Sequence, residues 1–333
     1  MDLWLSNHIV CPRDKTPLKE TAGRLWCAEE HSYPLVEGIP VLLLDDVAPT
    51  HAECTKSLTA SAKQTGAENF KNSISVPGFV DSFVQQEIVG TCGLMYKDLI
   101  NRLERYPIPH FPLPEADGLR LLDIGCSWGR WSISAARKGY RPVGLDPSLE
   151  AVLSARRVTE QTGGVSASFV VGDARHLPFA AGSFDVVFSY SVLQHFHEKS
   201  LEETLAEIAQ VLTPDGKSLI QMANACGARN SYSRLKRIWK RRGLFDVRYW
   251  RPAQLKRLFE ASIGSTNLSV DGSFTLNPQT SDLDLLPIYY RLIVLLSETL
   301  KKGSRRIPGL LTFADSLYVE SRRSGKESLR ETA

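Results

Sequence analysis

The middle of the chain alternates between short apolar runs and stretches with helical spacing. Leu119 to Ile124 reads as a first strand, ending around Asp123 and Gly125. Trp128 to Lys138 has the spacing of a helix and is closed by Gly139. Pro142 to Leu145 is a second apolar run, and Ser148 is placed to cap the helix after it. Phe169 to Val171, Phe184 to Ser189 and Ser218 to Met222 are further strands, with a helix over Leu201 to Leu212 between the last two. Strands alternating with helices predict an α/β fold with helices on both faces of a mostly parallel sheet. The strands are apolar throughout rather than at every second position, as expected where both faces are buried.

The flanks carry weaker signals. Residues 1 to 48 form a small unit with Gly and Pro turns and two cysteines. Residues 49 to 66 are small and polar and read as a linker. Residues 79 to 105 have apolar positions at helical spacing (Phe83, Ile88, Leu99 to Leu103), and Pro107, Pro109, Pro112 and Pro114 end any helix. Residues 49 to 118 are thus a linker and helical lead-in to a domain over 119 to 323. Within it, residues 227 to 312 read as an insertion covering the substrate site. Pro252 to Ala261 is a helix there, and Asp284 to Leu300 is a strongly apolar one that either covers the site or forms a dimer face. Asp315 to Arg322 reads as the final strand, and residues 324 to 333 as a disordered tail.

Composition narrows the picture. The chain has 333 residues, 43% hydrophobic and 23% charged, enough for one large domain with small additions. It holds no run of about eighteen apolar residues, the length a membrane helix needs. The start, Met-Asp-Leu-Trp, is unlike a signal peptide. Six cysteines are scattered rather than clustered, which fits a reducing cytoplasm better than a disulfide scaffold. The net charge of +3 selects no partner, but its distribution is uneven. Between Arg229 and Arg257 stand eleven Lys or Arg and one acid, Asp246, interleaved with Tyr232, Trp239, Tyr249 and Trp250. Such a stretch suits nucleic acid, an anionic lipid surface or a phosphorylated substrate. It equally suits a solvated helix burying Leu235, Ile238 and Trp239.

The chemistry concentrates where strands end. The first runs into Asp123-Ile124-Gly125-Cys126-Ser127-Trp128-Gly129. Gly125 permits a sharp turn close to a ligand, and Gly129 close packing of the next helix. Asp146, at the end of the second strand, can accept hydrogen bonds from ribose hydroxyls. The pattern Asp-x-Gly-x-x-x-Gly is not the dinucleotide fingerprint, because the acid precedes the first glycine. Such an acid and nearby carbonyls suit an α-ammonium group. Gly172-Asp173-Ala174 ends the third strand, where a carboxylate can accept from an adenine amino group. The fourth is followed by Val192-Leu193-Gln194-His195-Phe196.

Over roughly residues 119 to 223 these blocks resemble the class I S-adenosylmethionine (SAM)-dependent methyltransferases. The resemblance implies a Rossmann-like sheet of seven strands, the last antiparallel, with SAM as cofactor. It assigns Asp123, Gly125, Ser127 and Gly129 to the first motif, with serine at 127 where the family often has glycine. It assigns Asp146 to ribose, Asp173 and Ala174 to adenine, and Ser189 to Leu193 to the edge facing the sulfonium. Cys126, Pro147, Ser148 and Tyr190 complete the expected cofactor-binding set. Leu212 to Gly216 resembles the turn before strand five. His195 is the first candidate base and Tyr190 the second, with His197 nearby; His195 packing only at a helix start is the alternative. Ser-Val-Leu-Gln-His-Phe resembles the quinone- and natural-product-modifying branch, which points to a small-molecule or lipid-intermediate acceptor. RNA methylation and a non-catalytic SAM-binding scaffold are the competing readings.

The N-terminal unit resembles the small zinc-ribbon-like domain of the tRNA-methyltransferase activator family. Cys11, Asp14, Cys27 and His31 are spaced like the zinc site of bacterial rRNA guanine-N1 methyltransferases, with Asp14 in place of the second cysteine. Either a zinc ion is held by this altered set or the metal has been lost.

Overall fold

Each apolar run becomes a strand of one sheet, and strands from both flanks join it. The structure is a computed structural model that describes residues 1–63, 79–236, 247–274, 279–307 and 309–324, without the side chains of 233–236. The N-terminal unit holds helix α1 (Leu3–His8) and strands β1 (Lys19–Thr21), β2 (Arg24–Trp26), β3 (Ser32–Val36) and β4 (Ile39–Leu42). Helices α2 (Ala52–Ala62) and α3 (Ser82–Cys92) and a 3-10 turn (Leu94–Leu99) follow. Then come β5 (Arg120–Ile124), α4 (Arg130–Arg137), β6 (Arg141–Asp146), α5 (Leu149–Thr162), β7 (Ser168–Gly172), β8 (Phe184–Ser189), α6 (Glu198–Val211) and β9 (Leu212–Ala223). The remainder is α7 (Ala228–Lys236), α8 (Pro252–Ser262), β10 (Thr266–Gly272), a 3-10 turn (Thr280–Leu285), α9 (Ile288–Ser304), α10 (Leu310–Phe313) and β11 (Ser316–Arg322).

The strand order is β1-β2-β3-β4-β7-β6-β5-β8-β9-β11-β10. From β7 to β10 this is a Rossmann-like seven-stranded sheet. β11 alone runs antiparallel there, pairing Ser316 to Arg322 with Ala223 to Lys217. Helices cover both faces. Leu121 packs with Trp131 and Ala135 of α4, whereas Leu122 and Ile124 pack with Leu201 and Leu205 of α6 and Phe259 of α8. The strand order reverses at β5, which lies between β6 and β8. In such sheets that reversal opens a crevice at the carboxyl ends of the strands.

The sheet continues beyond seven strands. β4 pairs in parallel with β7, placing Val41 beside Val171 and Leu42 beside Gly172. All four β4 residues are buried, so the strand is apolar on both faces and covers an edge that would otherwise be open. Leu5, Ile9, Cys11 and Leu25 share a core with Leu122 and Val170. The small unit is therefore built onto the sheet.

Three expectations need correction. The stretch expected as a linker contains α2. Its buried face uses Cys54, Ser57 and Ser61, and Ser57 Oγ donates to Pro147 O (2.7 Å) and accepts from Leu149 N (2.8 Å). Small polar residues bonding to backbone leave no apolar period to read. Leu212 to Gly216 is the start of β9 rather than a turn. The apolar helix expected from Asp284 begins at Ile288, after Pro287 at its N-cap. Strand β10 (Thr-Asn-Leu-Ser-Val-Asp-Gly) had no counterpart in the apolar pattern. Ile238 and Trp239 lie outside the described residues, as does most of the tail.

Candidate functional site

A cavity of about 640 Å³ opens at the carboxyl ends of the central strands. Gly125, Ser127, Asp146, Pro147 and Ser148 line it, with Asp173 and Ala174 beyond them. Tyr190 and His195 line its opposite side. Asp123, Cys126, Gly129 and Ser189 do not reach the wall. They build its frame.

The frame is specific. Gly125 has φ 76°, and a Cβ there would stand 2.2 Å from Val192 Cγ2. Gly129 has φ 81° at the N-cap of α4, and a Cβ there would press on Ala155 and Phe169 at 3.1 and 3.3 Å. Ser127 holds a left-handed φ of 47°, unusual for a residue with a side chain. Its backbone N–H donates to Asp146 Oδ2 (3.0 Å) while Ser148 N–H donates to Oδ1 (2.9 Å). Asp146 thus knits the ends of β5 and β6 together and keeps lone pairs for a ligand. Burial raises its pKa to about 6. Ser148 Oγ also caps α5, accepting from Ala151 N at 3.3 Å. Asp123 is 1% exposed and accepts from Ser132 Oγ at 2.7 Å; burial lifts its pKa to about 7. Its carboxyl is turned into the protein. Ser189 Oγ donates to Ile124 O (2.9 Å), tying β8 to β5 beneath the cavity.

Asp173 arrives already paired. Arg175 donates to both its oxygens, with Nη2 at 2.7 Å from Oδ2 and Nε at 3.2 Å from each. Glu53 and Lys56 of α2 and Thr91 of α3 close this side. The polar stretch taken for a linker therefore forms part of the wall.

On the far side, Tyr190 OH donates to Asp271 Oδ2 (3.2 Å) and receives a hydrogen bond from Gln279 Nε2 (3.2 Å). Burial, reinforced by the negative charge of Asp271, raises the phenol pKa well above its usual value. In this arrangement the phenol donates to the carboxylate. Ser316, also in the wall, donates to the same Asp271 oxygen at 2.7 Å. Gln221 of β9 lines the cavity at 2% exposure, and its Oε1 has no hydrogen-bond partner among the described residues. Beside Tyr190, the guanidinium of Arg130 is buried, and its Nε and Nη2 have no hydrogen-bond partner among the described residues. Unsatisfied buried polar atoms carry a cost of about 1–3 kcal/mol each, which a bound ligand can relieve. Glu53, Gln221, Asp271 and Gln279 each lie in a segment without a motif, so nothing in the sequence marks them.

The N-terminal cluster also assembles. The donor atoms of Cys11, Asp14, Cys27 and His31 all lie within 4.8 Å of one another. His31 Nδ1 is 3.5 Å from Cys11 Sγ, 3.4 Å from Cys27 Sγ and 2.9 Å from Asp14 Oδ2, and Cys27 Sγ is 3.4 Å from that carboxylate oxygen. Tetrahedral zinc with ordinary bond lengths has sulfur–nitrogen edges of about 3.5 Å. Two thiols, an imidazole and a carboxylate in this arrangement fit such an ion.

A parallel sheet reversing at β5, a glycine cradle and an acid at the end of β6 make up a Rossmann-like domain. Residues 121–216 match the family described as a methyltransferase domain, and the chain accordingly carries that domain. The biotin biosynthesis bifunctional protein BioHC of Cellvibrio japonicus is 32% identical over 126 residues, covering 38% of this chain and 23% of that protein. The ubiquinone biosynthesis O-methyltransferase of Agrobacterium fabrum is 37% identical over 112 residues, 34% of this chain and 42% of that one. The match thus spans less than half the length of either relative. A chain in the complex between the Haloferax volcanii Trm112 methyltransferase activator and a methyltransferase is 22% identical with a TM-score of 0.44, covering 64% of this chain and 86% of that one.

Proposed function

We propose that the whole protein transfers a methyl group from SAM to a small-molecule or lipid-intermediate acceptor. The observation that carries this reading is one continuous cavity with two unlike sides: a cradle of Gly125, Ser127 and Asp146, and a polar far wall of Tyr190, His195 and Gln221. Bound SAM supplies a methyl already activated by its sulfonium, so the chain has to hold and orient both partners and exclude water. Asp146 would accept from the ribose hydroxyls. Asp173 and Ala174 would border the adenine. Asp123, turned inward, would support the loop. Gln221 Oε1 would accept from a hydroxyl or amine of the acceptor, and Tyr190 would donate to it from a position fixed by Asp271 and Gln279. His195 is the side chain of suitable type to take a proton from a poorly nucleophilic acceptor.

RNA is the second reading. Arg229, the first residue of the basic stretch, lines the cavity, although residues 237–246 lie outside the described ones. A labelling assay separates the two: purified protein, methyl-labelled SAM and a cell extract split into RNA, organic-extractable and aqueous small-molecule fractions. Label outside the RNA fraction supports the proposal, and ribonuclease-sensitive label in RNA overturns it.

We further propose that Cys11, Asp14, Cys27 and His31 hold a structural zinc ion that fastens the N-terminal unit. Protein purified without chelator should contain close to one zinc per chain, and Cys27→Ser should lose it and melt at lower temperature. Less than about a tenth of an equivalent would rule the ion out.

A further inference from the structure

Among the described residues, helix α9 leaves an apolar face uncovered. Val294 and Ser297 are buried, while Ile288 is 74%, Leu292 64%, Leu295 48% and Leu296 50% exposed. Residues 288, 292, 295 and 296 recur at helical spacing and form one stripe. Thr299, Lys302 and Arg306 continue the same side toward the end of the helix and just beyond it. Ile307 and Phe313, 59% and 63% exposed, follow closely in the chain. An apolar stripe of this size on a helix surface calls for a partner.

Charge indicates which one. From Ile288 to Ile307 there are five cations (Arg291, Lys301, Lys302, Arg305, Arg306) and one acid, Glu298. That acid already pairs with Lys301 at 3.8 Å. A second copy of this helix would set cations against cations in either direction, because Arg291 is exposed at one end and Lys302, Arg305 and Arg306 at the other. An anionic bilayer surface complements both features at once: leucines enter the acyl boundary while lysine and arginine meet lipid phosphates. None of the described helices is long and apolar enough to cross a membrane, so the expected mode is lying on the surface.

The helix that carries the stripe packs, through its buried face, on a turn that borders the cavity. Val294 and Leu286 share a core with Met95 and Tyr96 of the turn Leu94–Leu99. Leu94, the first residue of the turn, lines the cavity and is 57% exposed. We propose that the exposed face of α9 (Ile288, Leu292, Leu295 and Leu296, with Lys302 and Arg306) docks on anionic lipid membrane and brings the cavity entrance to its surface. Such docking gives access to an acceptor dissolved in the bilayer. It is independent of whether methyl transfer is the activity.

Co-sedimentation of the full chain with vesicles tests this, using phosphatidylcholine alone or mixed equally with phosphatidylglycerol. Binding is expected to the mixed vesicles and to fall with salt. Each cation removed from Lys302 and Arg306 by substitution with Ala should weaken it about fivefold. Leu292→Glu with Leu296→Glu should weaken it at least about tenfold per leucine. All four residues lie outside the cavity wall, so binding of S-adenosylhomocysteine and the melting temperature should be unchanged, which separates lost docking from lost folding. Equal binding to both vesicle types, or none to either, overturns the proposal. So does a dimer in sedimentation velocity that Leu292→Glu dissociates while vesicle binding persists in the monomer, since the stripe would then be an interface between copies.

Discussion

The two sides of the cavity are built by different rules. The cradle side comes from consecutive strand-to-helix turns, and its members are local: Ser127 and Ser148 both donate to one Asp146 carboxylate. The far side gathers Tyr190, Gln221, Asp271, Gln279 and Ser316, drawn from β9, β10, β11 and the segments beside β8 and β10. The first can be recognised in a sequence because backbone geometry fixes residue type at short spacing. The second is visible only after folding, because its hydrogen bonds cross sequence separations as large as 89 residues. A cradle made of backbone and one carboxylate suits a cofactor common to many enzymes. A wall of separate side chains suits a ligand particular to one protein.

The largest effect that would break this contrast is expected at Gly125. Gly125→Ala forces a Cβ into Val192 and strains a left-handed φ. Cofactor affinity should drop by more than about a hundredfold, equivalent to roughly 3 kcal/mol; calorimetry reads it directly, and an unaffected affinity would mean that the cradle does not bind there. Next is Asp146. Asp146→Asn should cost about ten- to a hundredfold in affinity through loss of charge-assisted hydrogen bonds. Because burial raises the folded pKa to about 6, affinity should weaken as pH falls through that value. A flat profile from pH 5 to 8 would exclude an ionised Asp146 as the ribose acceptor.

Raised carboxyl pKa values also act on stability. Asp123, at about 7, favours the folded state most when protonated, so its contribution is lost as pH rises from the ordinary carboxylate range through about 7. Asp123→Asn should flatten that decline in melting temperature.

On the far wall, Gln221→Leu and Tyr190→Phe should leave cofactor affinity within about twofold and reduce turnover about tenfold. Equal losses in both quantities would erase the proposed division between the two sides. The smallest effect is expected at Ser127. Replacing a non-glycine residue at φ 47° by glycine relieves strain of order 1 kcal/mol, so Ser127→Gly should raise the melting temperature slightly.

The same division explains what the sequence made legible. β5 to β9, α5 and its cap at Ser148 follow from apolar runs and a capping residue, and the cradle follows from spacing. β4 was part of a unit read as separate, because two-faced apolarity does not reveal which edge a strand will join. α2 was hidden since Ser57 and Ser61 are buried by hydrogen bonding. β10 was hidden because its buried residues include Asp271, whose partners arrive from other strands. Tyr190 lines the cavity, and the carboxylate it meets, Asp271, stands 81 residues further along the chain, where spacing gives no sign of it.

The most direct test of the account is calorimetric titration of the purified chain with S-adenosylhomocysteine at pH 8, beside Asp146→Ala. The account predicts one site per chain with a dissociation constant in the micromolar range, about −8 kcal/mol, and a loss of at least about tenfold in the variant. No heat of binding in the wild type, or equal binding by both proteins, would contradict it.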